Sequence, residues 1–378
     1  MEKTLLLIRP YGYHYLDIYV NELFSPFREV TVAAADIREK DWSWLQLKRV
    51  KLAKLKPKSV LGIDPFVLFR EGYSLNSWAS LEGISHLCTK VDIIDAAEVN
   101  SFFTFQAVKE AHALRKKIAI DVIETIPNHI SSKIPPYSLL TKYCVEKADL
   151  LIARTERSRE YLLSVGANED KIHTIYPGID TEMFNGRTEE HEGNFKVLFT
   201  GTLSESKGLL TLLSAFKRLV SGRNKDVELW LAGDGPLRHI IERLQVSIPI
   251  KLLGKVEWSL MPEIYRACDV FCFPSQDVRK FGLNIWEEQF GLSLVEAMSS
   301  KLAVIATKCG AIPEVLEDEN MLIPQGSTDE LFKKIELLRH DRELIRQLGV
   351  KNRNRVVKLF NARLQTAKYA DVLNRYLS

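Results

Sequence analysis

The chain has 378 residues, of which 46% are hydrophobic and 27% charged, the proportions of a folded soluble protein, which exclude extended disorder. A net charge of +3 is too small for a general nucleic-acid-binding field, and no apolar run reaches the ~20 residues of a membrane-spanning helix. The five cysteines, Cys88, Cys144, Cys268, Cys272 and Cys309, form no Cys-x-x-Cys pair, so reduced core thiols and a cytoplasmic compartment are expected.

Strand signals then alternate with helical ones. Residues 4–8, stopped by Arg9 and Pro10, are too few for a signal-peptide core and read as a first buried strand. A helix over 15–23 and a strand over 30–34 continue the βαβ pattern of a parallel sheet. From Lys48 to Lys58, six of eleven residues are basic. This run reads either as a surface for anionic lipid or an anionic acceptor, or as a solvated helix face; its leucines do not gather on one side. Residues 91–95 and 117–123 read as strands. The end of the second delivers Glu124 and His129 into a loop, and strand ends are where open α/β sheets bind ligands. His14 and His129 read as loop histidines without a task. A strand over 147–153 is followed by Thr155 as N-cap of a helix over 156–165, which stops at Gly166. Pro177-Gly178 marks a turn. The charged, aperiodic stretch 188–194 reads as a linker, which divides the chain into domains 1–187 and 188–360.

In the second half, a strand over 195–200 runs into a loop over 201–208 and a helix over 209–220. Lys207 sits at that helix start, where a point charge added to free amides suits a diphosphate. No Gly-Lys-Ser/Thr ending exists, so this is not a Walker P-loop. After the strand over 227–232 comes Gly233-Asp-Gly235, but Arg238 stands where a dinucleotide fingerprint needs its third glycine, which argues against hydride transfer. A short helix over 261–267 and a strand over 269–274 lead to a long loop, 275–287. Its Phe281 and Trp286 offer faces for stacking on a sugar or for packing in a core.

Glu288 and Glu296 follow, the first in a loop and the second in the first turn of a helix opening near Ser293. Their spacing lets both face one polar ligand from different directions. Gly291 between them admits close approach of a ligand to the backbone, and the helix start favours an anion. Ser293-Leu-Val-Glu296 also fits a capping box, in which Glu296 merely satisfies a backbone N–H. A strand over 302–306, helices over 327–339 and 361–377, and the turn Thr307-Lys-Cys-Gly-Ala-Ile-Pro-Glu314 complete the pattern.

Glu288-x7-Glu296 with Phe290-Gly291 inside it, Lys207 in its loop and the turn ending at Glu314 occur in an order that resembles the family-4 retaining glycosyltransferases. The resemblance implies the GT-B fold: two Rossmann-like parallel-sheet domains facing a cleft, with helix 361–378 crossing back to the first domain. It implies transfer of a hexosyl unit from a UDP- or GDP-sugar to a hydroxyl of a glycan, lipid-linked or small-molecule acceptor, in glycan or glycolipid synthesis. Glu288 and the backbone of Phe290, Gly291 and Leu292 would then hold the donor sugar, Glu296 the ribose and Lys207 the diphosphate. The backbone at Val256 would meet the donor base. Glu124 stands in place of the family's strand-end histidine, and Thr202 in place of an arginine. Retention implies attack from the leaving-group face, a donor phosphate oxygen taking the acceptor proton. No metal, no cofactor beyond the donor and no nucleic-acid partner are expected. The protein would be cytoplasmic or would meet the inner face of the membrane through residues 48–58. Two further readings stand beside this one. A GT-B sugar-nucleotide epimerase would need no acceptor. A catalytically silent sugar-nucleotide-binding protein would tolerate the changes at Thr202 and Glu124.

Overall fold

The computed structural model describes residues 3–9, 15–35, 43–57, 80–186, 193–221 and 226–376. Gly12, His14, Lys58 and most of the expected linker 188–194 lie outside the described residues. The chain divides into two compact units, Met1–Gly178 with Ala362–Ser378, and Ile179–Asn361. Among the described residues no helix is long and apolar enough to cross a membrane.

The first unit begins with β1 (Thr4–Ile8), a π-helical turn running into α1 (Asn21–Phe24), β2 (Glu29–Ala34) and β3 (Val50–Lys54). A small antiparallel ribbon, β4 (Lys56–Pro57) with β5 (Leu81–Glu82), leads to α2 (Ile84–Thr89) and β6 (Ile93–Ala97). Then come α3 (Phe102–Ala113), β7 (Lys117–Val122), α4 (Tyr137–Lys147), β8 (Leu150–Ala153), α5 (Glu156–Ser164) and β9 (Ile172–Thr174). Seven strands form one parallel sheet in the order β3-β2-β1-β6-β7-β8-β9. β1 is buried along its whole length, as a strand covered on both faces must be. The expected cap is present: the Thr155 hydroxyl accepts from the Ser158 N–H at 2.9 Å.

The basic run is not a helix face. It contains β3, which pairs in register with β2, Val50 opposite Val30, and lies at the sheet edge. Lys51 forms an ion pair with Glu29. Lysines on an edge strand discourage pairing with another chain, which gives this charge a local reason.

The second unit holds β10 (Phe195–Thr200), α6 (Leu209–Ser221), β11 (Val227–Ala232), α7 (Arg238–Leu244), β12 (Ile250–Gly254) and α8 (Met261–Arg266). Next are β13 (Val270–Phe273), β14 (Val278–Lys280), β15 (Leu283–Trp286), α9 (Leu292–Ser299) and β16 (Ala303–Thr307). The unit closes with α10 (Ile312–Leu316), β17 (Leu322–Ile323), α11 (Thr328–His340) and α12 (Arg342–Leu359). Its six-stranded parallel sheet has the order β12-β11-β10-β13-β16-β17, so the strand order reverses between β10 and β13. Ligands of open α/β sheets bind at such a switch point. The stretch 275–287, expected as a loop, contains the antiparallel hairpin β14–β15.

The boundary between units falls at Gly178/Ile179 rather than 187/188. Residues after the Pro177-Gly178 turn already pack into the second unit. Ile179 bridges to Asn361, and the Ser299 hydroxyl donates to the Phe184 carbonyl at 2.7 Å. The Phe184 ring is fully buried, 5.6 Å from the Trp258 ring and 5.9 Å from that of Tyr265.

The last helix, α13 (Ala362–Tyr376), belongs to the first unit. There the Tyr369 hydroxyl donates to the buried Asp95 carboxylate on β6. Arg9, just past β1, reaches Asp17 and Asp121, both at 3.1 Å, and lies 3.5 Å from Asp95. Arg154, just past β8, donates through Nε to Asp121 at 2.7 Å. Burial works against the Asp121 carboxylate, but Arg154 and Arg9 outweigh it and hold its pKa below the usual range. Removing one member of such a network strands the others without compensation. Asp121→Ala is therefore expected to cost about 3–5 kcal/mol, read as a shift of the urea midpoint. A change under about 1 kcal/mol would show that the cluster adds nothing to stability.

Candidate active site

At the switch point, the loop after β10 and the segment between β15 and α9 bring Lys207 and Glu288 together. The Lys207 ammonium donates to Glu288 Oε2 at 2.6 Å, and the Ser275 hydroxyl donates to the same oxygen at 2.8 Å. The side chains are 21% and 9% exposed, so the pair is sheltered but reachable. The ammonium also lies 4.6 Å from the centroid of the Trp286 ring, a cation–π contact. Trp286, weighed as a sugar platform or a core residue, lays its ring against this lysine.

Two glycines make this approach feasible. Gly208 has φ +67°, and a Cβ on it would lie 1.8 Å from the Pro274 carbonyl oxygen. No other residue lets the Lys207 loop come so close to the end of β13. Gly310 has φ +51°, and its Cβ would lie 2.1 Å from the Glu288 carbonyl oxygen. That carbonyl accepts from the Ala311 N–H at 2.8 Å, and the Glu288 N–H donates to Cys309 Sγ at 3.4 Å. The turn before α10 thus fixes the Glu288 backbone. Sequence spacing singled out neither Ser275 nor Cys309, because both act across long separations.

Glu296 lies in α9, which opens at Leu292, one residue earlier than expected, with Gly291 as its left-handed N-cap. The capping-box reading fails here. Glu296 accepts from Trp258 Nε1 at 2.9 Å and from the Tyr265 hydroxyl at 3.0 Å, not from a backbone N–H at the helix start. The Tyr265 hydroxyl also meets Thr200 Oγ1 at 3.3 Å, which ties Glu296 to the end of β10. Burial pushes the Glu296 carboxyl up to about 7, against the two hydrogen bonds.

Of the other expected donor contacts, Phe290 is 4% exposed and packs edge-on against Phe360 at 5.5 Å, so its side chain serves the core. Leu292 is half-buried at the start of α9, Val256 half-buried between β12 and Trp258, and Thr202 exposed just past β10.

Glu124 belongs to the first unit, beyond the end of β7. Its Oε1 accepts from the Thr125 and Ile126 N–H groups, both at 2.9 Å, which folds the carboxylate back on its own turn. His129 Nδ1 lies 2.7 Å from Ser131 Oγ and caps the short 3-10 turn that follows. Glu98, just past β6, is the acid that sequence reasoning overlooked, although it shares Glu124's strand-end position. It accepts from the Ile123 N–H at 2.9 Å, while its Oε2 is buried without a partner among the described residues. Burial and the nearby charge of Glu124 push its carboxyl up to about 8. An unfolded glutamate titrates near 4.3. Between those values the folded chain keeps a proton that the unfolded chain releases, so stability falls as pH rises through that window. Glu98→Gln is expected to exceed the parent stability at pH 8 by more than about 1.4 kcal/mol, the equivalent of one pKa unit. The gain should vanish towards pH 4, where both forms of Glu98 are protonated. Denaturant melts at both pH values check this; a gain independent of pH would contradict it.

Two α/β units, each a parallel sheet with a Rossmann-type order reversal, make the class of fold plain: it is that of the GT-B glycosyltransferase structures. The crystal structure of HepE from Anabaena with UDP-glucose matches with a TM-score of 0.74 over 99% of this chain and 100% of its own, at 19% identity. Residues 180–355, which lie within the second unit, match the family model of glycosyl transferases group 1. Among curated proteins, the sulfoquinovosyl transferase SQD2 of Arabidopsis thaliana is 25% identical over 68% of this chain and 52% of its own. The D-inositol 3-phosphate glycosyltransferase of Corynebacterium glutamicum is 30% identical over 48% of this chain and 46% of its own. The chain spans about half the length of the curated relatives it matches.

Proposed function

We propose that the chain is a retaining glycosyltransferase that moves a hexosyl unit from a nucleoside diphosphate sugar to an acceptor hydroxyl. The observation that carries this reading is the Lys207–Glu288 pair at the switch point within the stretch that matches group 1. In the free chain each charge answers the other. An incoming diphosphate offers Lys207 a stronger anion, beside the start of α6 whose dipole favours negative charge. Glu288, released, turns its carboxylate to sugar hydroxyls while the Ser275 hydroxyl still holds one of its oxygens.

As the bond between the sugar's anomeric carbon and the diphosphate breaks, charge grows on the leaving oxygen, and Lys207 stabilises it. The acceptor oxygen bonds to the same face of that carbon, and its proton passes to a phosphate oxygen of the leaving group. Glu296, Val256 and the backbone of Phe290, Gly291 and Leu292 serve the nucleoside and sugar, and Thr202 borders the diphosphate loop.

UDP-glucose in the HepE structure makes UDP-sugars the first donors to try. GDP-sugars follow, and lipid-linked or glycan hydroxyls are the acceptors. The five buried thiols favour a cytoplasmic setting. A panel of UDP- and GDP-sugars, assayed for thermal shift and for product with and without acceptors, tests the proposal. Transfer supports it. Release of free nucleoside diphosphate with an epimerised sugar, or binding without turnover, would replace it.

A further inference from the structure

We propose that the β14–β15 hairpin is a docking finger for an anionic lipid surface. Its tip is Arg279-Lys-Phe-Gly-Leu283. Phe281 is 102% exposed and Leu283 48%. Arg279 and Lys280 flank them, both exposed, and no acidic residue occurs between Val278 and Trp286.

The tip is unfavourable in water on two counts. A whole phenyl ring stands in solvent, forgoing the gain of burial. Phe281 also takes φ +50°, a left-handed backbone that costs a bulky residue and that two-residue hairpin turns usually assign to Asn or Asp. Among the described residues no contact offsets either cost. A bilayer surface meets both features at once: aromatic and aliphatic groups enter at headgroup depth, while the cations face lipid phosphates. A protein partner fits less well. Stable protein interfaces cover about 800 Å² per side, and two apolar side chains on a two-stranded ribbon do not supply a patch of that size.

The finger is rooted in the switch-point site. β15 ends at Trp286, whose ring lies under the Lys207 ammonium at 4.6 Å, and Glu287 and Glu288 come next. Asn284 Nδ2 donates to Glu287 Oε2 at 3.0 Å. At the other root, Asp277 lies 3.7 Å from Arg279 and accepts from Cys309 Sγ at 3.2 Å. A lipid contact at the tip therefore orients the Lys207–Glu288 pair with respect to the membrane. That this would present a lipid-borne acceptor rests on the proposed glycosyl transfer; the docking itself does not.

The test is flotation of the full chain with phosphatidylcholine vesicles, with or without one third phosphatidylglycerol. Binding is read without turnover, so its failure and that of the proposed reaction are separable. Binding is expected on the anionic vesicles and not on the neutral ones. Lys280→Glu alone, or Phe281→Ser with Leu283→Ser, should weaken it about tenfold. A Phe281→Trp variant should show a blue-shifted, bromolipid-quenchable emission on the anionic vesicles. Reversing Lys51, Lys54 and Lys56 on and beside the edge strand should leave binding in place. Failure of the parent chain to float, parent-like binding by the tip variants, or loss confined to the edge-strand variant would overturn the proposal.

Discussion

Lys207→Ala is expected to lower sugar transfer by on the order of 10²–10³-fold, the range seen when one donor to a developing anion is removed. The lysine is the cation that the structure places beside Glu288 at the switch point, held by that carboxylate at 2.6 Å and by the face of Trp286. Its loss leaves the Glu288 carboxylate with the Ser275 hydroxyl as its remaining side-chain donor. The cost of about 1–3 kcal/mol for a weakened buried group lies within the stability of an ordinary domain, so the variant should still fold. The fall should appear in kcat as well as kcat/KM, because leaving-group charge is greatest in the transition state. Undiminished turnover in a folded variant would remove Lys207 from the mechanism.

Glu288→Gln should reduce transfer by roughly 10²-fold, since it exchanges a charge-assisted hydrogen bond to the sugar for a neutral one while keeping the side chain's shape. The double variant with Lys207→Ala should be less impaired than the product of the two single effects. The residues touch, and each single change leaves the other's charge without its partner. Multiplicative losses would show that the pair does not act as a unit. Melting curves of all three variants separate this from unfolding.

Much of the architecture was legible in the sequence because a parallel strand buried on both faces announces itself as a short apolar run. Thr4–Ile8, Phe195–Thr200 and Val227–Ala232 were delimited to the residue. β3 was not, because an edge strand needs little apolar alternation and its lysines imitate a solvated helix. The β14–β15 hairpin was hidden by its Phe-Gly turn, which lacks the Asn-Gly signal, and α12 was passed over in a polar stretch of 18 residues. At the site, Lys207 and Glu288 were named separately. That they touch depends on Gly208 and Gly310, whose tight approaches to Pro274 and Glu288 no local pattern expresses. For Glu296 it is the capping-box alternative that fails: Ser293 satisfies the spacing, but Trp258 and Tyr265, 38 and 31 residues away, claim the carboxylate.

The placement of α13 has a consequence for biosynthesis. The first unit is discontinuous in sequence, and its closing piece leaves the ribosome after all of residues 179–361. Until then Asp95 lacks the Tyr369 hydroxyl, while the second unit already has every strand of its sheet. The unit that is translated first is therefore the unit that matures last, and a released chain truncated after residue 361 should resist protease in the second unit while the first is still cut.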